Sequence, residues 1–512
     1  MTPRVFAVAL VFATLLGAVP RLNGIGDEIT YDEAEYAEAA RAGVIANALD
    51  RGRTFEFRHE HPPLLAYGIS LSLRLFGERE WAVRLPSLLA SLLLIPIAGA
   101  LCAQLVASRA AGLLVALLLA ASPVHAVSAR VGDHHAIATL CLLAAVACLG
   151  RAIAESSPRF LRLAAVALAV LIATSEFGVV VAGACALVLA ILPNPFVSLR
   201  AWPPRIGRPA FAAAAIAVTG AVLLWPAGLF KLDLARSFYR YSFQAVHSYT
   251  GKNQMAHSSP MVYLEQYAQI APAFLAVFLA TLAFTIAALV RRRVPPALTP
   301  LALLALLLTV TMHLQVPAAF RYSLYAATLL VVLAGWLLEL LSRGSRTRVI
   351  AAWGIALITA AASLASAARY APDRPGFDDA ARYLLARSGD DGGRVLASSP
   401  FCLAFTLRAA APNASPPARI APGGPHGDLN PFVAGRWFVD EYAPGVLQEA
   451  ERRALEAGAY DWVVLDAAPG RNAPDDRGIA LLDASGPPEI SVEGSEPGNF
   501  LKIYRRPVTA PR

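Results

Sequence analysis

Charge is scarce in this chain: Asp, Glu, Lys and Arg make up 16% of its 512 residues, against about a quarter in soluble globular domains. That scarcity excludes an ordinary soluble enzyme, and it excludes a disordered protein, whose composition runs the opposite way. Cysteine is scarce too. Of Cys102, Cys141, Cys148, Cys185 and Cys402, four lie in apolar runs and one outside them, so there is no disulfide framework. The chain has no P-loop, no dinucleotide fingerprint and no internal repeat. What it has is apolar residues: they make up 57% of the chain, mean hydropathy is +0.53, and they cluster into runs long enough to cross about 30 Å of hydrocarbon. The composition is that of a polytopic membrane protein. A net charge of +8 does not point to nucleic acid, because the arginines sit in short segments between apolar runs, as cytoplasmic loops require.

Runs of about 20 apolar residues fall near 4–22, 84–106, 109–127, 134–153, 160–174, 177–193, 209–229, 263–290, 298–315, 321–341 and 349–367. They predict an all-α membrane domain of about eleven transmembrane helices. The first run reads as a retained span rather than a signal peptide, since no small-residue cleavage site precedes the charged stretch from Asp27. Arg109, the Arg151, Arg159 and Arg162 group, Arg200, Arg205 and Arg208, Arg291 to Arg293, and Arg343, Arg346 and Arg348 fall on one alternating side. The positive-inside bias makes that side cytoplasmic, with the N-terminus inside and the C-terminus outside. The outer side then receives residues 23–83, the turn Ser128 to Asp133, the loops Phe230 to Tyr263 and Val316 to Phe320, and everything after Ala368. The alternation depends on a hairpin at Thr174-Ser175-Glu176-Phe177-Gly178.

From Arg369 the charge density becomes ordinary. Phe377 to Ala386 reads as a helix, and Arg394 to Ala397, Trp462 to Leu465 and Phe500 to Tyr504 read as short strands. Ala411 to Pro425, rich in Pro, Gly and Ala, reads as a loop. The expectation is a membrane domain over 1–368, whose first outer loop 23–83 carries amphipathic helices, and a small extracytoplasmic α/β domain over 369–512.

The polar residues that stand out all fall on the outer side. The first outer loop opens Asp27-Glu28-Ile29-Thr30-Tyr31-Asp32-Glu33-Ala34-Glu35-Tyr36, and from Asp32 it has helical character, with Asp32, Glu35 and Tyr36 on one face. Thr30 with Glu33 is a capping box, which makes Glu33 a cap before it is a catalyst. Asp32 in the first turn complements the positive helix end, and an acid there can also orient a hydroxyl nucleophile and remove its proton late, with Asp27 as the competing acid. Downstream comes Arg58-His59-Glu60-His61-Pro62-Pro63, which reads equally as a polar surface turn or as ligands for a divalent ion that need a distant partner. His247 and His257 offer one. Asp133 stands at the mouth of a span in Arg130-Val131-Gly132-Asp133-His134-His135, as a helix cap, a site residue or both. Arg321-Tyr322 opens a span on the outer side, where an arginine either binds phosphate or snorkels to headgroups.

Three stretches, Asp32 to Glu38, Glu60-His61-Pro62-Pro63-Leu64-Leu65, and Phe76-Gly77-Glu78-Arg79-Glu80-Trp81-Ala82-Val83-Arg84-Leu85-Pro86-Ser87, resemble the C-fold (GT-C) integral-membrane glycosyltransferases. Within that group the likeness is to the bacterial relatives of the dolichyl-phosphate-mannose protein mannosyltransferases and of the lipid A aminoarabinose transferase. It is specific over about the first 140 residues, patchy near His257 and Arg321, and architectural beyond. The resemblance implies a polyprenyl-phosphate sugar donor and transfer on the outer face of a cell membrane, usually with inversion. The acceptor is a lipid, a glycan or a protein, and nucleic acid is not a partner. It implies that Asp32 is the acid of an Asp-Glu motif and that Asp133 is a second functional acid, so Asp32, Asp133 and Glu33 are the catalytic candidates. It implies that Glu60 and His257 help hold a divalent metal ion. The relatives carry a lysine for the donor phosphate where this chain has His61, which is only partly charged at neutral pH given an ordinary pKa of about 6.5. His61, Arg58, Arg130, Arg321 and Tyr322 are therefore the candidates for the donor phosphate. The alternative class is a transporter or a non-catalytic lipid-binding protein. Against it, only Glu176 and Glu339 come near the spans, and the chain has no duplicated halves.

Overall fold

The structure, a computed structural model, describes residues 1–45, 62–175, 177–198, 205–227, 262–314, 323–343, 345–369, 376–388, 393–411, 432–434, 437–441, 460–467, 486–493 and 500–505. In chain order the helices are α1 (Pro3–Leu22), α2 (Tyr31–Ala42), α3 (Leu64–Phe76), α4 (Glu80–Val106), α5 (Arg109–Ala121), α6 (Pro123–Ala129), α7 (His135–Glu155), α8 (Pro158–Thr174) and α9 (Phe177–Ile191). After a short hairpin of β1 (Val197–Ser198) and β2 (Arg205–Ile206) come α10 (Arg208–Leu224), α11 (Val262–Ile270), α12 (Pro272–Val290), α13 (Thr299–Leu314), α14 (Leu324–Ser342), α15 (Arg346–Arg369) and α16 (Phe377–Ser388). The remainder is β3 (Gly393–Ala397), α17 (Pro400–Ala410), β4 (Phe432–Ala434), β5 (Trp437–Glu441), β6 (Trp462–Ala467), β7 (Ile490–Glu493) and β8 (Phe500–Arg505). The described residues fall into two units, one drawn from Met1–Ile25, Ala42–Ile69 and Arg84–Ala371, the other from Gly26–Arg41, Ser70–Val83 and Pro372–Arg512.

The first unit is helical, and a helix lies on each apolar run of the sequence. Among the described residues, α1, α4, α7, α12, α14 and α15 are long and apolar enough to cross a membrane, six in all, or seven if the bent pair α5 and α6 is one span. Prolines divide two of the runs. Ser122 is extended, Pro123 starts α6, and the two helices bend by 58°. Pro272 likewise starts α12 just after Ala271, whose φ of −148° is not helical. Each proline lacks the amide a continuing helix needs and pushes its predecessor out of helical geometry. Between α8 and α9, Ser175 is extended, and a side chain at Gly178 would lie 2.6 Å from the Ile172 main-chain nitrogen, so the chain turns back at a closeness that excludes any Cβ.

Helix α14 is buried along most of its length, whereas α1, α10 and α15 expose Val8, Phe12, Val19, Phe211, Leu223, Ile350 and Ile358. Exposed apolar faces of that extent suit hydrocarbon rather than water. A Cβ on Gly99 would stand 2.9 Å from the Gly112 carbonyl, so α4 and α5 meet backbone to backbone. Small residues of this kind let dispersion forces hold helices together where lipid removes the hydrophobic drive.

The C-terminal strands of the second unit form a six-stranded sheet in the order β4-β5-β3-β6-β8-β7. Its central strand β3 runs parallel to β5 and β6, and the outer pairs are antiparallel. Val395, Leu396 and Ala397 are buried consecutively, as are Val463, Val464 and Leu465. A continuous buried run, rather than an alternating one, marks strands covered on both faces. Helix α17 packs on β3, β4 and β5, and α16 packs on α17 and β8.

Candidate active site

In the first unit the polar side chains gather where α4 meets the end of α1 and the α6–α7 turn. Arg84, Ser87 and Ser91 lie on one face of α4 at i, i+3 and i+7, and each makes a bond away from water. Arg84 Nη1 donates to the carbonyls of Gly24 and Ile25 at 3.2 and 3.0 Å. Ser87 Oγ donates to the Asp133 carbonyl at 2.5 Å, and Ser91 Oγ to the His125 carbonyl at 3.2 Å.

Asp133 is buried, and its Oδ1 accepts the His135 amide at 3.0 Å, which caps the start of α7. The His134 and His135 rings lie 4.2 Å apart. His135 Nδ1 is 3.0 Å from the Tyr325 hydroxyl, and the Tyr325 ring stacks on Phe177 at 4.9 Å. Arg130, also buried, donates to the Asn23 carbonyl at 3.1 Å.

The end of α5 leaves carbonyls short of helical partners, as every helix end does, with Leu119 accepting the Ser122 amide at 3.3 Å. Arg21, fully buried at the end of α1, meets them: Nη1 donates to Ala120 at 2.9 Å and Nη2 to Leu119 at 2.9 Å, while Nε donates to Ser91 Oγ at 2.9 Å. Beside it His125 lies between Ser122 Oγ at 2.7 Å and Thr328 Oγ1 at 2.8 Å. The sequence reading passed over Arg21. On the topology the sequence predicts, an arginine at the outer end of the first span breaks the positive-inside pattern just as Arg321 does, and that was the available signal.

In the second unit, Asp32 is the second residue of α2. Glu33 is fully buried and its Oε2 accepts the Thr30 amide at 2.8 Å, the glutamate's half of the expected capping box. Glu28 is largely buried, and its carboxylate accepts the amides of Gly376 and Asp378 at 2.6 and 3.0 Å. Burial raises its pKa, the two amide bonds oppose that rise, and the nearby Asp378 and Asp379 charges add to it. Glu38 pairs with Arg408, and Arg41 lies 3.7 Å from Glu38 and 2.5 Å from Glu78. Burial lowers the Arg408 pKa to about 9, which leaves it charged at neutral pH.

The structure thus places Asp133, Arg130 and His135 in one polar cluster, and Asp32 with Glu33 at the start of α2. Arg58, Glu60, His61, His257, Arg321 and Tyr322 lie outside the described residues. Among the described residues no group of three or more His, Cys, Asp or Glu is arranged to hold a metal ion.

Residues 60–225 match the family model described as dolichyl-phosphate-mannose-protein mannosyltransferase. No curated protein matches the chain. Among solved structures, the chain is similar to ArnT from Cupriavidus metallidurans bound to undecaprenyl phosphate, with a TM-score of 0.61, 13% identity and 100% of both chains covered. It is similar to the oligosaccharyltransferase AglB from Archaeoglobus fulgidus, solved with an inhibitory peptide and a dolichol-phosphate, with a TM-score of 0.54, 14% identity, and coverage of 90% of this chain and 69% of that one. The Archaeoglobus fulgidus enzyme in complex with Zn and sulfate is similar at a TM-score of 0.54 and 15% identity, over 90% of this chain and 68% of that one. With six or seven candidate spans, a matched mannosyltransferase segment and these structural counterparts, the chain has the GT-C fold of multi-pass membrane glycosyltransferases.

Proposed function

We propose that the protein moves a sugar from a polyprenyl-phosphate donor to a lipid, glycan or protein acceptor at the outer face of a cell membrane, with inversion. The observation that carries this reading is the end-to-end fold correspondence with a protein solved with undecaprenyl phosphate. The arginine distribution supports an inside N-terminus and an outside C-terminus, which puts both acid-bearing segments on the outer side.

The acceptor hydroxyl attacks the anomeric carbon from the face opposite the phosphate. The bond to the phosphate oxygen breaks, polyprenyl phosphate leaves, and the hydroxyl proton passes to a carboxylate. Asp32 is the proposed orienter and proton acceptor, with Glu33 holding the helix start beneath it and Asp133 as the second acid. His61, Arg58, Arg130, Arg321 and Tyr322 are the proposed cations and donors for the leaving phosphate, whose charge needs stabilising where it develops. Glu60 and His257 would supply an oxygen and a nitrogen to a divalent ion, which when bound would neutralise phosphate charge. Two ligands do not complete a site, and the transfer is balanced without it.

The test is to incubate membranes carrying the protein with a panel of labelled polyprenyl-phosphate sugars and extract whatever acquires label. Transfer that Asp32→Asn abolishes, with insertion and folding intact, is the expected result. Wild-type transfer by Asp32→Asn, or donor binding with no transfer to any acceptor, overturns the reading, the latter in favour of a lipid-binding or transport role.

A further inference from the structure

The second unit joins two stretches of the first outer loop to the C-terminal residues, and the bonds that join them flank Asp32 on both sides. On the N-terminal side is Glu28. The first turn of α16 has amides with no helical acceptor, and Gly376 before it sits at φ +93°. The carboxylate that satisfies those amides comes from Glu28, more than 340 positions away in the chain, at 2.6 and 3.0 Å.

On the C-terminal side is Glu38, paired with Arg408 of α17, both side chains about one-tenth exposed. Arg41 extends this pair to Glu78 at 2.5 Å. Between the two anchors, Ala34 and Ala37 of α2 are buried and Glu33 accepts the Thr30 amide. The helix that carries Asp32 is therefore held at its entrance by one C-terminal helix and at its middle by another.

We propose that Glu28 and Arg408 are positioning residues for sugar transfer, through which the C-terminal domain holds α2 so that Asp32 meets the acceptor hydroxyl. The proposal rests on the reading of Asp32 as the functional acid. Its physical basis is the steep dependence of rate on placement: an error of about 1 Å in a reacting group costs about a hundredfold. A helix held at one point by a carboxylate on main-chain amides and at another by a buried ion pair has little freedom to make that error.

The test uses the full chain in native membranes or detergent, with Glu28→Ala, Arg408→Ala and the conservative Glu28→Gln and Arg408→Lys. Each alanine variant is expected to lower kcat at least tenfold while leaving the donor KM within about twofold. The conservative variants should recover most of the loss. Amide hydrogen exchange in 31–42 should quicken at least tenfold in Arg408→Ala, with α7 and α14 unchanged. Wild-type kcat in both alanine variants overturns the proposal, and so does a loss of activity matched by an equal loss of folded protein with no local change in exchange. Asp32→Asn in the same assay separates the two failures. Full transfer by that variant sinks the underlying reading, whereas an essential Asp32 with wild-type kcat in both alanine variants sinks this proposal alone.

Discussion

The Ser87 hydroxyl donates to the Asp133 carbonyl across 2.5 Å, while the carboxylate of the same aspartate accepts the His135 amide at 3.0 Å. Asp133 is thus fixed through both its main chain and its side chain, and the two roles of its carboxylate can be separated by substitution. Asp133→Asn keeps an oxygen that caps α7 as well as aspartate does and removes the charge. It is expected to fold normally and to lose sugar transfer at least a hundredfold. Asp133→Ala should lose transfer and also about 1 kcal/mol of stability. Thermal denaturation beside the labelled-donor assay measures both, and full transfer by the asparagine variant would remove Asp133 from the mechanism.

Arg21 is the donor for two carbonyls at the end of α5. Arg21→Met takes that donor from a buried site; Leu119 keeps the bond from the Ser122 amide, so the cost is about 1–3 kcal/mol, falling on the Ala120 carbonyl. The variant should melt earlier and yield less folded protein in detergent. Arg21→Lys, with fewer donors and no planar fork, should restore only part of the loss. An Arg21→Met protein as stable as the wild type would show that the broken helix needs no such donor.

Glu28 titrates above its ordinary value of 4.5 in the folded protein. Between 4.5 and that raised value the folded chain holds a proton that the unfolded chain has released. Stability therefore falls as pH rises through this window, and the contribution of the protonated group is fully present below it. Glu28→Gln removes the titration and keeps one acceptor for the α16 amides. Its melting temperature, compared with the wild type from pH 4 to pH 8, should gain on the wild type as pH rises and then level off. A difference that stays flat with pH would mean that Glu28 does not titrate in this range.

Glu33 tests whether a cap is also a catalyst. Glu33→Gln can make the same bond to the Thr30 amide, so transfer should stay within about threefold of wild type, whereas Glu33→Ala should cost about 1 kcal/mol through loss of the cap. A hundredfold loss in the glutamine variant would instead make the charge itself part of the chemistry.

The helices and the capping box were legible in the sequence because both are local. Apolar runs report burial in lipid one residue at a time, and Thr30 with Glu33 needs only a spacing of three. The split at Pro123 was readable from the proline, yet hydropathy alone runs through it, since Ser122 and Pro123 do not lower a 20-residue average enough to show a break. The bonds of Arg21 to Leu119 and of Glu28 to Gly376 join residues about 100 and about 350 positions apart, and nothing in either neighbourhood names the partner. Of the candidate site, the sequence marked Asp133 as cap and acid together, and its side chain does cap α7. It did not mark Ser87, His125 or Tyr325, whose residue types are ordinary in a buried helix bundle until the packing brings them together.

The break at Ser122 and Pro123 also bears on the order of assembly. Its polar ends are satisfied by a guanidinium from the first helix, which leaves the ribosome before α5 does, so the donor is already in place when the acceptors enter the bilayer. A chain shorn of α1 would insert the same later helices yet leave the Ala120 carbonyl without its donor, and quality control would meet that defect before any substrate did.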